Sequence, residues 1–492
     1  MRKCENAKML RKVLFLSLVV SNTCQLTSCK DDNEMEQQLP TSQEIQQDSC
    51  PLNYKAIFSD NHTMSWEDAA ALSEEVAALH FGSISGDKAL RSGGRRVVNA
   101  GRVIGKSSNT LRSGSDLNAL PDTLAYVCNF ADSTGFAIIC ADDRVGCPIL
   151  ACVDSGTLGD TTDNPGIAIF LEGAQSFIEN SILKFEEEKD SLREVAIKKI
   201  GGTPKECNTT LKKIYTGNYK LLKSKESVDA LLNTTWAQSG APYNTLVSEV
   251  CSGNAGGHAP AGCWAVAISQ IMGYYKYPTS FSDTRTGGYG RFSLNWNEML
   301  KKKNADSLTG SAYRNQVSKL LEYVGYKIGM KYGCDGSGAN EDNAMSFMKA
   351  CGYSGTSGVD FNFTNVISQI KEKKPVIMTG KKNRTNRFLG LIYTYSGGHA
   401  WVVDGYSFDE ATEEHRYQID TNDESATKDV LLSVSYKHPL LHINWGWGGL
   451  CNGYFASGCF HITEAEKFDR KVNNPSEDAN YKYKHKVFPI YR

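Results

Sequence analysis

The stretch Pro260-Ala261-Gly262-Cys263-Trp264-Ala265-Val266-Ala267-Ile268-Ser269-Gln270-Ile271-Met272 constrains this chain most, because it sets a cysteine at the first turn of a helix. Trp264, Ile268, Ile271 and Tyr275 recur at helical spacing and give the segment an apolar face, while Pro260 and Gly262 mark the turn leading into it. The unpaired N–H groups and positive dipole end of a helix N-terminus favour thiolate over thiol, so Cys263 is expected to have a depressed pKa and to act as a nucleophile. A lone cysteine beside a helix is ordinarily a core thiol. The rest of the chain decides against that reading.

A thiolate nucleophile needs a base, a group that orients the base, and donors for the oxyanion formed on attack. His399 lies in Ser396-Gly397-Gly398-His399-Ala400-Trp401-Val402-Val403-Asp404, a glycine turn entering an apolar strand, 136 residues after Cys263. A Cys-to-His interval of about 130–150 residues is the papain-type spacing. Asn444 and Trp445 lie in His442-Ile443-Asn444-Trp445-Gly446-Trp447-Gly448-Gly449, a short strand ending in a glycine-rich turn. An asparagine carbonyl there is suited to accept the imidazole N–H and fix its tautomer, with the indole shielding that bond from water. Gln238, 25 residues before Cys263, is suited to donate its amide to the oxyanion. His442 shares a strand face with Asn444 and is the rival base. Asp404, five residues from His399, alternates to the opposite face and is expected to cap the turn at Gly405.

Trp236-x-Gln238 followed by Pro242-Tyr243-Asn244, Gly262-Cys263 with Gln270-Ile271-Met272 and Tyr277-Pro278 behind it, Gly398-His399-Ala400, and Asn444-Trp445-Gly446-Trp447-Gly448-Gly449 stand in one order. Together they resemble the streptopain family of papain-like bacterial cysteine peptidases, over roughly residues 230–465. The resemblance implies an α+β fold: a papain-like two-lobed peptidase preceded by a small α+β inhibitory propeptide domain. It implies that Cys263 is the nucleophile, His399 the general base and acid, Gln238 an oxyanion donor, and Asn444 with Trp445 the support for the histidine. Met330-Lys331-Tyr332-Gly333-Cys334-Asp335-Gly336-Ser337-Gly338-Ala339 resembles the family's loop bordering the second substrate pocket, so Ser337 and Gly338, with Gly398, are the expected substrate-binding residues. The implied partners are protein or peptide substrates and the chain's own propeptide, acting as an intramolecular inhibitor. Two rival readings are a catalytically silent surface binding protein on a peptidase fold, and an acyltransferase or amidase using the same Cys-His-Asn set.

The remaining sequence fits an exported zymogen. Residues 1–28 read as a lipoprotein signal peptide, with Arg2, Lys3, Lys8, Arg11 and Lys12 before the apolar run Val13-Leu14-Phe15-Leu16-Ser17-Leu18-Val19-Val20. That run is too short for a permanent membrane span. Leu26-Thr27-Ser28-Cys29 resembles a bacterial lipobox, making Cys29 the expected lipid anchor and the membrane a partner only through it; the alternative is a simple cleaved signal. Lys30-Asp31-Asp32 resembles the acidic export tag of Bacteroides-type surface lipoproteins, so an outer-membrane, cell-surface or secreted location is expected.

Residues 29–50 are a polar tether, 51–200 the propeptide domain, 201–227 a charged linker expected to carry the activation cleavage, and 228–492 the peptidase. Within 51–200, Ser65 is the expected N-cap of a helix to about His80, 85–114 a loop, 124–130 with 136–141 a hairpin, 148–153 a third strand, and 167–185 an amphipathic helix. Residues 407–440 are a long charged insertion.

A net charge of −1 gives no reason to expect a nucleic acid partner. Fifteen cysteines include no CxxC and no Cys/His cluster of zinc-ligand spacing, so neither metal nor cofactor is expected. Cys451 with Cys459, or members of Cys128, Cys140, Cys147 and Cys152, are the candidate disulfide partners, while the cysteines of the 124–153 strands sit in apolar runs and are expected to be core thiols.

Overall fold

Short apolar runs build the first half of the chain. Strands β1 (Val97–Gly105), β2 (Thr123–Phe130), β3 (Phe136–Cys140) and β4 (Ile149–Val153) pair in sequence as an antiparallel meander. Every residue of β3 and β4 is buried. Such strands are covered on both faces, which is why they read as continuous rather than alternating apolar segments. The helix Trp66–Phe81 starts where expected, its first turn capped by the Ser65 hydroxyl accepting from the Asp68 N–H. A longer helix, Pro165–Lys199, follows the meander.

The second half contributes β8 (Val359–Asp360), β9 (Val376–Arg387), β10 (Ile392–Asp420), β11 (Thr427–Asn444), β12 (Gly453–Ala456) and β13 (Lys486–Phe488). β4 pairs with β12, setting Val153 against Gly453 and Ala151 against Phe455. One antiparallel sheet therefore runs β1-β2-β3-β4-β12-β11-β10-β9-β13-β8 through both halves. β10 divides the interior by strand alternation. Trp401 and Val403 belong to a core shared with the N-terminal strands and helices. Ala400 and Val402 belong to a second core with the helices Cys263–Tyr275 and Ser311–Lys327. The result is α+β, with a helical lobe carrying Cys263 against a β lobe carrying His399.

The structure is a computed structural model that describes residues 54–82, 95–105, 120–199, 214–223, 226–387, 392–420, 427–460 and 485–492. Residues 1–28, Cys29 and the 29–50 tether lie outside them. From Gln47 onward the chain forms one compact unit.

Several expectations change. β1 occupies part of the 85–114 stretch, where its Val and Ile residues outweigh the flanking Gly, Ser and Arg. The charged residues 186–199 continue the helix Pro165–Lys199. Within the 201–227 linker, β5 (Ile214–Lys223) pairs with Asp409–Tyr417 of β10. The 407–440 insertion is the outer part of the β10–β11 hairpin, a regular ladder whose tip, residues 421–426, lies outside the described residues. Cys451 and Cys459 are free thiols rather than a disulfide, whereas Cys128, Cys140 and Cys152 are the buried core thiols expected of their apolar runs. Cys147 is disulfide-bonded, and a further disulfide joins Cys251 to Cys334.

Candidate active site

Cys263 is the first residue of its helix, and the preceding Gly262 adopts φ 94°, a left-handed conformation that favours glycine. A Cβ at Gly262 would press on the Met330 thioether and approach Ser337, so the 330–339 loop sits directly on the helix start. The helix is buried all round from Cys263 to Gly273 rather than along one face. That burial reverses the expected acidity. Loss of solvation pushes the Cys263 thiol up, against the opposing backbone N–H groups of Ala400, Trp264 and Cys263 itself. Desolvation outweighs the helix N-terminus here.

His399 lies on β10 one residue before Ala400, whose backbone faces Cys263. Its ring stacks on Trp401 at 6.1 Å and lies 6.4 Å from the Trp445 ring and 6.2 Å from that of Trp447. The Nε2–H donates to the Trp445 backbone carbonyl at 2.8 Å, which leaves Nδ1 as the unprotonated nitrogen. Burial drives the His399 pKa down to about 4, with the carbonyl opposing. The ring is therefore neutral at neutral pH, and no hydrogen bond joins it to Cys263 in this structure.

Asn444 makes no hydrogen bond to His399 in this structure either. Its Nδ2 donates to the Thr234 carbonyl at 2.7 Å, and its Oδ1 accepts from the Gly446 N–H at 3.1 Å. Trp445 is fully buried, its indole packed against Trp401 and Phe455 at 5.1 and 5.2 Å. Its backbone, rather than the Asn444 amide, is what holds the histidine here. Gln238 is buried beside the helix start, where its carbonyl accepts from the Ala261 N–H at 2.7 Å. Ser337 adjoins Gly262, Gly338 closes the 330–339 loop through paired backbone bonds with Lys331, and Gly398 immediately precedes His399 on β10.

Asp404 caps no turn, because β10 continues through it. Its Oδ1 is 2.6 Å from His442 Nδ1, and its Oδ2 accepts from the Leu232 N–H. Burial disfavours a charged His442, yet the Asp404 carboxylate beside it raises the pKa above the ordinary value. The rival base of the sequence thus pairs with Asp404.

The Cys251–Cys334 link was not foreseen, since its half-cystines stand 83 residues apart without a shared motif. It ties the segment before Cys263 to the 330–339 loop, where the Asn254 amide also donates to the Cys334 carbonyl at 2.8 Å. A link closing a loop of this size contributes about 2–4 kcal/mol. Replacing both cysteines by serine is expected to raise KM for peptides several-fold with kcat nearly kept, and to lower the melting midpoint by several degrees. Steady-state kinetics and thermal unfolding check this; an unchanged KM would separate the link from substrate binding.

The N-terminal half reaches the site through the helix Pro165–Lys199. A Cβ at Gly166 would overlap the Trp445 indole, and Asn164 Oδ1 accepts the Gly166 N–H at 2.9 Å. The Ser155 hydroxyl donates to the Gly449 carbonyl at 2.8 Å, and the Asp154 N–H to that of Asn452 at 3.2 Å. The N-terminal half thus grips the 445–452 turn that carries the His399 acceptor.

Residues 236–455 match the Peptidase C10 family. Streptopain of Streptococcus pyogenes serotype M28 (strain MGAS6180) is 25% identical over 364 residues, covering 67% of this chain and 73% of streptopain. That is more of the chain than residues 236–492 contain, so the alignment enters the N-terminal half. The thiol protease/hemagglutinin PrtT of Porphyromonas gingivalis is 24% identical over 364 residues, covering 68% of this chain and 34% of PrtT. A fragment of Prevotella intermedia prointerpain A, in mutant form, superposes with a TM-score of 0.45 at 21% identity, covering 76% of this chain and 98% of the fragment.

Proposed function

On the match of residues 236–455 to the Peptidase C10 family, we propose that the chain is a streptopain-like cysteine peptidase, an exported endopeptidase made as a zymogen, with Cys263 as nucleophile and His399 as general base and acid. The observation that carries this reading is the meeting of three separate segments at one helix start. Cys263 begins the helix, the Gln238 segment is bonded to Ala261, and β10 brings the backbone beside His399 against the thiol.

In the active form the Cys263 thiolate attacks the scissile carbonyl, and the Cys263 N–H and the Gln238 amide hold the oxyanion. Removing one such donor typically costs ~3 kcal/mol of transition-state stabilisation. His399 imidazolium gives its proton to the leaving amine as the C–N bond breaks, then takes one from water as water attacks the thioester and expels the Cys263 thiolate, restoring the thiolate–imidazolium pair. Asn444 and Trp445 support the imidazole in that state, and Ser337, Gly338 and Gly398 border the bound peptide. Residues 51–200 act as the inhibitory propeptide. Their grip on the 445–452 turn supports this, since His399 is held by that turn and unpaired with Cys263. Export rests on the basic and apolar pattern of residues 1–28, with Cys29 as the lipid anchor.

The test is to incubate the full-length protein with reductant, with and without an epoxide inhibitor of cysteine peptidases, and to follow its mass and its cleavage of a denatured protein. Loss of about the first 200 residues with inhibitor-sensitive proteolysis is expected, both absent in Cys263→Ala. If Cys263 stays unlabelled even after the N-terminal half has been trimmed by an added protease, the peptidase reading fails.

A further inference from the structure

We propose that Gln270 is a positioning residue of this site, holding the Asn444 amide in one flip state and tying it to the helix that begins with Cys263; the proposal rests on the peptidase reading above. Gln270 lies seven residues, or about two turns, along that helix from Cys263 and is 1% exposed. Its Oε1 accepts from the Trp236 N–H at 3.2 Å and from Asn444 Nδ2 at 3.3 Å, while its Nε2 donates to Asn444 Oδ1 at 3.3 Å.

The flip of a side-chain amide follows from its hydrogen-bond network. Here two backbone groups determine it. The Thr234 carbonyl, 2.7 Å away, requires an N–H and so places Nδ2 of Asn444. The Trp236 N–H requires an acceptor and so places Oε1 of Gln270. With both ends set, the two amides pair reciprocally in one way, and Asn444 Oδ1 is turned to receive the Gly446 N–H. Turning either amide over would set N–H against N–H at Gly446 or at Trp236.

Gln270 thereby joins the nucleophile helix, the Trp236–Gln238 segment and the turn bearing Asn444 and Trp445. A buried amide is costly unless its donors and acceptor are paired, which explains a glutamine in a helix whose other buried residues, Ser269 apart, are Cys263, Trp264, Gly273 and Ala, Val, Ile and Met. Methionine has the same reach and neither function. Glutamate keeps the acceptor for Trp236 and Asn444 Nδ2 but cannot donate to Asn444 Oδ1.

The experiment compares wild type, Gln270→Met, Gln270→Glu, Asn444→Ala and the Gln270→Met/Asn444→Ala double variant, each made as the full chain and matured by tagged wild-type enzyme that is then removed. For Gln270→Met, kcat on a peptide is expected to fall about 10–100-fold, the scale for outer partners of an active group, with KM within about threefold. The alkaline limb of kcat/KM is expected to move to lower pH as the imidazolium loses support. Gln270→Glu should fall between, and the double variant within about threefold of Asn444→Ala, because the two act as one unit. A folded Gln270→Met with wild-type kcat and pH profile, or fully additive losses in the double variant, overturns the proposal. If Gln270→Met does not fold, Gln270→Glu decides it by the same kcat and pH criteria. A wild-type enzyme without turnover sinks the peptidase reading itself, an outcome distinct from active wild type with an indifferent Gln270.

Discussion

In a Cys263→Ala background, which lacks the proposed nucleophile, His80→Ala is expected to make β5 (Ile214–Lys223) at least about 100-fold more sensitive to trypsin. His80 lies near the end of the helix Trp66–Phe81, and its Nε2 is 2.6 Å from Asp409 Oδ2 on β10, with both side chains fully buried. The imidazole stacks on Tyr454 at 4.1 Å. Asp409 Oδ1 accepts from the Ser407 hydroxyl at 2.7 Å, and Ser407 in turn meets the Ser227 hydroxyl at 3.0 Å. A continuous chain of polar contacts thus runs from the N-terminal half, through the β lobe, to Ser227, four residues past the end of β5. Glu75 adds a second link, accepting from the Leu221 N–H of β5 at 3.3 Å.

Removing one member of such a buried pair typically costs about 3–5 kcal/mol, because the other is left buried without its partner. Proteolysis of a transiently opened segment tracks the population of the open form, so most of that cost should appear as cleavage rate at Lys220 and Lys223 of β5. His80→Gln, which can still donate to Asp409, should lose much less. The idea is sunk if His80→Ala and its parent are cut at the same rate.

Cys263 is expected to react with iodoacetamide at pH 6 at least about 100-fold more slowly in the intact precursor than in the processed enzyme. In the precursor burial holds the thiol above its ordinary value of 9.0, while His399 is held at about 4. Between those limits the thiol keeps its proton and the imidazole has none, so neither stabilises a charge on the other. Alkylation follows the thiolate fraction, so the precursor rate should climb about tenfold per pH unit through neutrality, with no plateau. Once the N-terminal half has left and His399 has turned to Cys263, a thiolate–imidazolium pair should give a plateau across the neutral range. Precursor that labels at pH 6 as fast as processed enzyme, at equal total protein, would falsify this account of latency.

Each of these effects depends on what packs on the site rather than on which residues compose it. Cys263 carries the same N–H groups of the helix start whether solvated or buried, but their pull toward thiolate prevails only when water or a positive charge reaches the sulfur. His399 likewise has two possible acceptors a residue apart, the side chain of Asn444 and the carbonyl of Trp445. The choice between them depends on the position of the 445–452 turn, which is held by Gly166, Ser155 and Asp154 from about 290 residues earlier in the chain.

Local chemistry determined a good deal by itself. The Ser65 cap with its acidic first turn starts a helix, the unbroken apolar runs at 136–140 and 149–153 make buried strands, and Gly262 before Cys263 starts the helix Cys263–Tyr275. Each is written within a few residues, where capping, side-chain periodicity and glycine conformation act. The order of the Gln238, Cys263, His399 and Asn444 motifs likewise carried the resemblance to the streptopain family, which the match of residues 236–455 supports. Only the tertiary structure decided that β4 joins β12, that β5 zips the connector onto β10, that Cys251 meets Cys334, and that Asp404 pairs with His442. Those pairings link residues from 38 to about 300 positions apart, and neither backbone ladders nor buried ion pairs leave a periodic trace in either partner. The acidities of Cys263 and His399 were equally out of reach, because desolvation is a property of the assembled interior.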